Sequence, residues 1–151
     1  MYDSYLTQAL ASVITAMQAL SAFSDTQIKG LKNTAAYHTQ QASEFIIKHQ
    51  IYNQPAYNKG REEDDIPQVY GHDIDRLIYK YCDKYEIEVP KKIRDNAERI
   101  SEWEAESRYN LAFSVRVDSM KSILEAESRW LCNIKPEYSE TIKRVREKYH
   151  F

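Results

Sequence analysis

The sequence predicts an all-α fold, an up-and-down helical bundle of five main helices plus a short C-terminal helix. Three observations carry that expectation. Apolar residues recur at steps of three and four along most of the chain, as on the buried stripe of a helix. Only 3 Gly and 4 Pro punctuate 151 residues, while Ala, Glu, Lys, Leu, Ile, Gln and Ser dominate, which favours long helices joined by few turns. That length fits a single domain spanning residues 1–151, able to bury roughly two-thirds of the surface its unfolded chain exposes.

The elements follow in order. From about Ser4 to Leu20, Leu6, Leu10, Val13, Met17 and Leu20 form one stripe with Ala9 and Ala16 beside it. A second helix, about Thr26 to Tyr52, sets Ala35, Ala42, Phe45, Ile46 and His49 on one side and Tyr37, Gln41, Glu44 and Lys48 on another. The stretch of about 53–70 holds Pro55, Gly60, Pro67 and the acidic cluster Glu62-Glu63-Asp64-Asp65, shows no periodicity, and reads as a long mobile loop. Ile74, Leu77, Ile78, Tyr81 and Tyr85 mark a third helix over about 73–85. Pro90 stands where a first helical residue is tolerated, and a fourth helix over about 91–106 would bury Ile93, Ala97, Ile100 and Trp103. The fifth, about 114–131, uses Val117, Met120, Leu124 and Leu131, with Ser114 as its N-cap. Pro136 then restarts the chain into a terminal helix carrying Tyr138, Ile142, Val145 and Tyr149.

A net charge of −2 and a pI near 6.1 give no global attraction to nucleic acid, so any such contact must come from a local patch. Cys82 and Cys132 fit no metal-ligand spacing, and the two thiols read as reduced in a cytoplasmic protein. The start of the chain lacks the pattern of a signal peptide. No apolar run is expected to reach the roughly 20 residues that span a bilayer. No metal site and no cofactor is expected; four adjacent carboxylates without an orienting Gly pattern read as a solvated charge run.

Three short signatures stand out in order: Ala35-Ala36-Tyr37-His38-Thr39-Gln40-Gln41-Ala42-Ser43-Glu44, ending in Lys48; Gly71-His72-Asp73-Ile74; and Ser107-Arg108-Tyr109-Asn110. A helix bearing QQA-x-E, a helix opening on His-Asp and a helix closing on Ser-Arg-Tyr resemble the HEPN (higher eukaryotes and prokaryotes nucleotide-binding) domain family over about residues 1–132. The resemblance implies a helical bundle that handles a nucleotide or RNA, commonly as a homodimer, often paired with a minimal nucleotidyltransferase as toxin and antitoxin.

The residues themselves allow two readings each. Tyr37, Gln41, Glu44 and Lys48 lie one turn apart, so amide, carboxylate and ammonium can converge on one ligand, or Glu44 and Lys48 can form an ordinary i,i+4 pair while the glutamines tie helices together. His72 and Asp73 sit where free amides attract an anion, or where Asp73 simply caps the turn. Arg108 can meet a phosphate with Tyr109 stacking on a base, or pair with Glu104 on its own helix. His38 and His49 read as packing residues.

Active members of the family carry an Arg, then about four to six residues, then a His on the last helix, which act in metal-free proton transfer and phosphate stabilisation. Arg144 and His150 satisfy that pattern formally. Residues six apart on a regular helix point about 120° away from each other, however, and a chain end frays. Three functions therefore stand as expectations: a HEPN-like module binding a nucleotide, RNA or a nucleotidyltransferase partner; a metal-independent endoribonuclease using Arg144 and His150; and an oligomerisation module whose acidic fourth helix and Tyr-rich surface, with 12 Tyr in all, serve only contact.

Overall fold

A computed structural model describes residues 3–58, 69, 71–109 and 114–151. Among these residues the fold is all-α, without strands. Two long helices begin it, α1 (Asp3–Thr26) and α2 (Lys29–Tyr52). They pair as an antiparallel hairpin across Gln27 and Ile28, where Gln27 takes the left-handed φ of 58° that commonly ends a helix. The sequence pattern places the start of the second helix at about Thr26; this left-handed turn moves it to Lys29 and separates it from the first.

Helix α2 is the centre of the molecule. It packs on α1 and also meets α4 (Ile74–Leu77), α6 (Ala97–Tyr109) and α7 (Val117–Ile134). Consequently it is buried on nearly every side between Ala35 and Tyr52, polar residues included. Apolar burial from α1 (Leu6, Val13, Met17), α2 (Ile46, Ile47, Ile51), α6 (Ile100, Trp103) and α7 (Met120, Leu124, Leu131) forms one continuous core.

Beyond α2, the expected loop begins with one helical turn, α3 (Pro55–Asn58). The acidic cluster Glu62–Asp65 lies outside the described residues. The third predicted helix is real but mixed: α4 passes into a π-turn over Ile78–Cys82, closed by Asp83 N–H on the Ile78 carbonyl at 2.9 Å. The fourth predicted helix divides at Asn96 into α5 (Lys91–Asp95) and α6, because Asn96 turns its amide back onto the Lys92 carbonyl at 2.8 Å. Helix α7 starts at Val117 with Arg116 as N-cap; Ser114 precedes it outside the helix. A 3₁₀ turn (Pro136–Tyr138) leads into α8 (Ser139–Lys148).

Two expectations are corrected. Residues 4–26 of α1 form a helix long and apolar enough, at a mean hydropathy of 1.3, to cross a membrane by length and composition; Ala, Ser and Thr raise no charge against it, so a core helix passes the same test. Nor is the tyrosine content simply a surface property. Tyr5 stacks on Tyr52 with centroids 5.5 Å apart, and Tyr57 meets Tyr52, Tyr81 and Tyr85 edge-on at 5.9, 6.1 and 5.7 Å. Val69 N–H donates to the Tyr52 hydroxyl at 2.6 Å. This cluster pins the start of α1, the end of α2, α3 and the π-turn together.

Candidate functional site: a polar seam along the central helix

Helix α6 runs antiparallel to α2, so features rising along one meet features falling along the other. Near the end of α6, Arg108 lies over the Tyr37 ring, 5.1 Å from its centroid. Its Nε also donates to the Glu104 carbonyl at 3.2 Å and its terminal nitrogen to the Glu104 carboxylate. The intrahelical pair with Glu104 is therefore present, and the guanidinium also rests on an aromatic face, that of Tyr37, which the sequence pattern alone does not indicate. Tyr109 ends α6, and its side chain lies outside the described part of the structure.

Two turns along α2 from Tyr37, Glu44 is 3% exposed yet fully engaged. Its Oε1 accepts from Gln40 Nε2 at 3.0 Å and from His72 Nδ1 at 2.8 Å, and its Oε2 pairs with Lys48 Nζ at 3.0 Å. Gln40 Nε2 donates as well to the His72 carbonyl at 2.8 Å. His72 is thus held through both ring and backbone, while its side chain stays 59% exposed. An uncompensated buried carboxylate would be expensive, and these donors are what make Glu44 tolerable there.

The amide that joins this network is Gln40, not Gln41. Gln40, Glu44 and Lys48 follow strict i,i+4 spacing, a signal present in the sequence; Gln41 is half-buried on the neighbouring row, and its side chain makes no hydrogen bond to another described residue. Asp73 is the N-cap of α4 but makes no side-chain cap bond. The Ile74 amide goes instead to Ser101 Oγ of α6, at 2.7 Å, so the helix start offers one fewer N–H to an anion. Asp73 lines a cavity of about 240 Å³ with Gly71, Arg76, Leu77, Lys80 and Tyr81. Gly71 itself holds φ at +111°, a conformation that suits Gly and sets the entry of the chain into His72.

A second polar pair lies on the α7 side of α2. Glu127 is fully buried and accepts from Ser43 Oγ. Burial pushes its carboxyl well above the usual carboxylate range, and the Ser43 hydrogen bonds oppose that only in part. Glu127 occupies the gap in the 4-3-4 stripe Met120, Leu124, Leu131, so the signal for it was a carboxyl in an apolar register. His38 is half-buried and held below its ordinary value by burial; His49 is buried beside Asn53, whose Nδ2 lies 3.3 Å from its Nδ1.

Arg144 and His150 are not brought together on one helix. Helix α8 ends at Lys148, and His150 follows in the left-handed region at φ 61°. It lines a cavity of about 290 Å³ with Phe23, Lys121 and Phe151, among others, whereas Arg144 is exposed on α8 and takes no part in that cavity. A larger cavity, about 750 Å³, lies elsewhere, between the end of α2, residues 86–91 and α7 around Trp130, and contains none of the predicted site residues. Among the described residues no group of three or more His, Cys, Asp or Glu is placed to hold a metal.

Compared with known proteins, the chain matches no family model, no curated protein and no solved structure.

Proposed function

We propose that the chain is a HEPN-like helical module that binds a nucleotide or RNA along the α2 seam, or presents that seam to a nucleotidyltransferase partner in a toxin and antitoxin pair. What supports this reading is one observation: residues from three separate signatures, Tyr37, Glu44 and Lys48, then His72, then Arg108, lie on the same side of α2. The exposed contacts are the His72 imidazole and the Arg108 guanidinium on Tyr37; Gln40, Glu44 and Lys48 stand behind them as the layer that fixes their positions. A guanidinium plane on an aromatic ring is a platform on which a base can stack, and its charge suits a phosphate. The up-and-down five-helix topology, homodimerisation and a cytoplasmic location belong to the same proposal.

Amide chemical shifts on addition of ATP, GTP or a short oligonucleotide test it. Shifts clustered at Tyr37, His72 and Arg108 are expected, and a flat response to all three probes overturns the nucleotide reading. A purely structural module is the second reading, favoured by the completeness with which Glu44 is satisfied from within. In that case Arg108→Ala and His72→Gln change nothing except stability.

A further inference from the structure

The geometry of the Glu44–His72 pair points to ribose as the group the seam recognises: we propose that His72 Nε2 accepts a hydrogen bond from a ribose 2′-hydroxyl, and that Glu44 is the positioning residue behind it. This rests on the nucleotide reading above and adds a preference for ribonucleotides over deoxyribonucleotides.

His72 Nδ1, 2.8 Å from the oxygen of a carboxylate already paired with Lys48, must carry its hydrogen. In the neutral ring that leaves Nε2 without one, as an acceptor. With Nδ1 turned inward onto Glu44 and the side chain 59% exposed, the outward part of the ring carries Nε2. A half-turn of the ring would put Cδ2 where Nδ1 stands and forfeit the 2.8 Å bond to Glu44, so that bond holds the ring orientation, while Gln40 at 2.8 Å from the His72 carbonyl fixes the backbone beneath it.

An outward acceptor selects its partner by chemistry. A phosphate oxygen, itself an acceptor, is mismatched there, whereas a hydroxyl can donate. Position narrows the choice further. Tyr37 and Glu44 are seven residues apart on one helix, about 10 Å of rise, so one small anion cannot reach both Arg108 and His72. In this proposal a nucleotide stacks its base on the outer face of the Arg108 guanidinium and lays its sugar along α2 toward His72. The 2′-hydroxyl is the group that separates RNA from DNA, and a protein atom that accepts from it makes that distinction.

The test uses the full chain, a single-stranded ribo-oligonucleotide and its 2′-deoxy counterpart of identical sequence, together with ¹⁵N shifts of the imidazole nitrogens. The expected result is tighter binding of the ribo form by about five- to tenfold, the ratio that one partly exposed hydrogen bond supplies, with His72 in the Nδ1–H form before ligand is added. His72→Gln, whose amide can still donate to Glu44 but which places no ring acceptor at the Nε2 position, should bring the two affinities within about twofold of each other. Glu44→Gln should move the imidazole shifts toward a mixture of tautomers and lower the ribo preference with them, whereas a merely structural Glu44 would leave that preference unchanged. Equal binding of both oligonucleotides by the unaltered chain, or a ribo preference that survives His72→Gln, overturns the inference and leaves the seam a nucleotide site. Binding of neither overturns both.

Discussion

Glu127 occupies a position in the α7 stripe that its neighbours fill with Met120, Leu124 and Leu131, and it is as fully buried as they are. A carboxyl whose pKa is raised by folding takes up a proton as the chain folds. Its contribution to stability is therefore complete below the unfolded value, near the ordinary 4.5, and is lost as pH climbs toward the folded one. The loss runs at up to about 1.4 kcal/mol per pH unit. Glu127→Gln keeps the shape and an acceptor for Ser43 but does not titrate. Its unfolding free energy relative to the parent should rise between pH 5 and pH 8, measured by urea denaturation; a constant difference across that range contradicts the buried-acid account. The thiols divide in the same way. Cys82 has no exposed surface, and burial pushes its thiol up to about 12, whereas Cys132 is half-buried at the edge of a groove between α7 and α8. At pH 8 a disulfide exchange reagent should titrate Cys132 in the native protein and reach Cys82 only in denaturant.

At the scale of elements, α2 shows what sequence reasoning reads well and what it misses. Its existence follows from period, and so do α1 and α7, since their apolar steps of three and four have only one way to be buried together. Its polar row was legible as a row, but which glutamine joins Glu44 depends on where the chain before α4 docks, and that is a tertiary fact. Glu127 is hard to read in the sequence for the opposite reason: an apolar stripe is defined by its apolar members, and an acid within it carries no periodic signal of its own. The splits at Gln27 and Asn96 also leave little trace in periodicity, because each breaks one hydrogen-bond ladder without altering the buried face. Gly30 offers a test of helix propensity without packing. It lies in the first turn of α2, and a Cβ built on it meets nothing within 4 Å. Gly30→Ala should therefore stabilise the protein by about 0.5–1 kcal/mol, through the freedom it removes from the unfolded chain. Gly71→Ala is the contrasting case: at φ +111° the added Cβ is strained whatever the space, so a loss of about 1 kcal/mol or more is expected. Chemical denaturation of the two variants side by side should give opposite signs, and stabilisation of both would mean that Gly71 does not hold this conformation.

For the whole molecule, burial is graded from the centre outward, and that grading predicts how the fold opens. Helix α2 is enclosed by α1, α4, α6 and α7; its amides can exchange only when several helices part at once. At the other extreme, α8 buries a single residue, Ile142, with half-buried Val145 and the partly exposed Arg146–Glu125 pair at 3.5 Å beside it, a contact of the kind worth about 0–1 kcal/mol. So α8 should open locally while the bundle around α2 stays closed. Native-state hydrogen exchange in rising sub-denaturing urea separates the two modes. Amides of Ile46, Ile47 and Ile51 should exchange with the full denaturant dependence of global unfolding, and those from Lys143 to Lys148 faster and with almost none, because little surface is exposed when one helix lifts. If α8 were instead as protected as α2, the C-terminal segment would be part of the cooperative core. His150 and Phe151 would then be held against α1 and α7 by more than the groove they line.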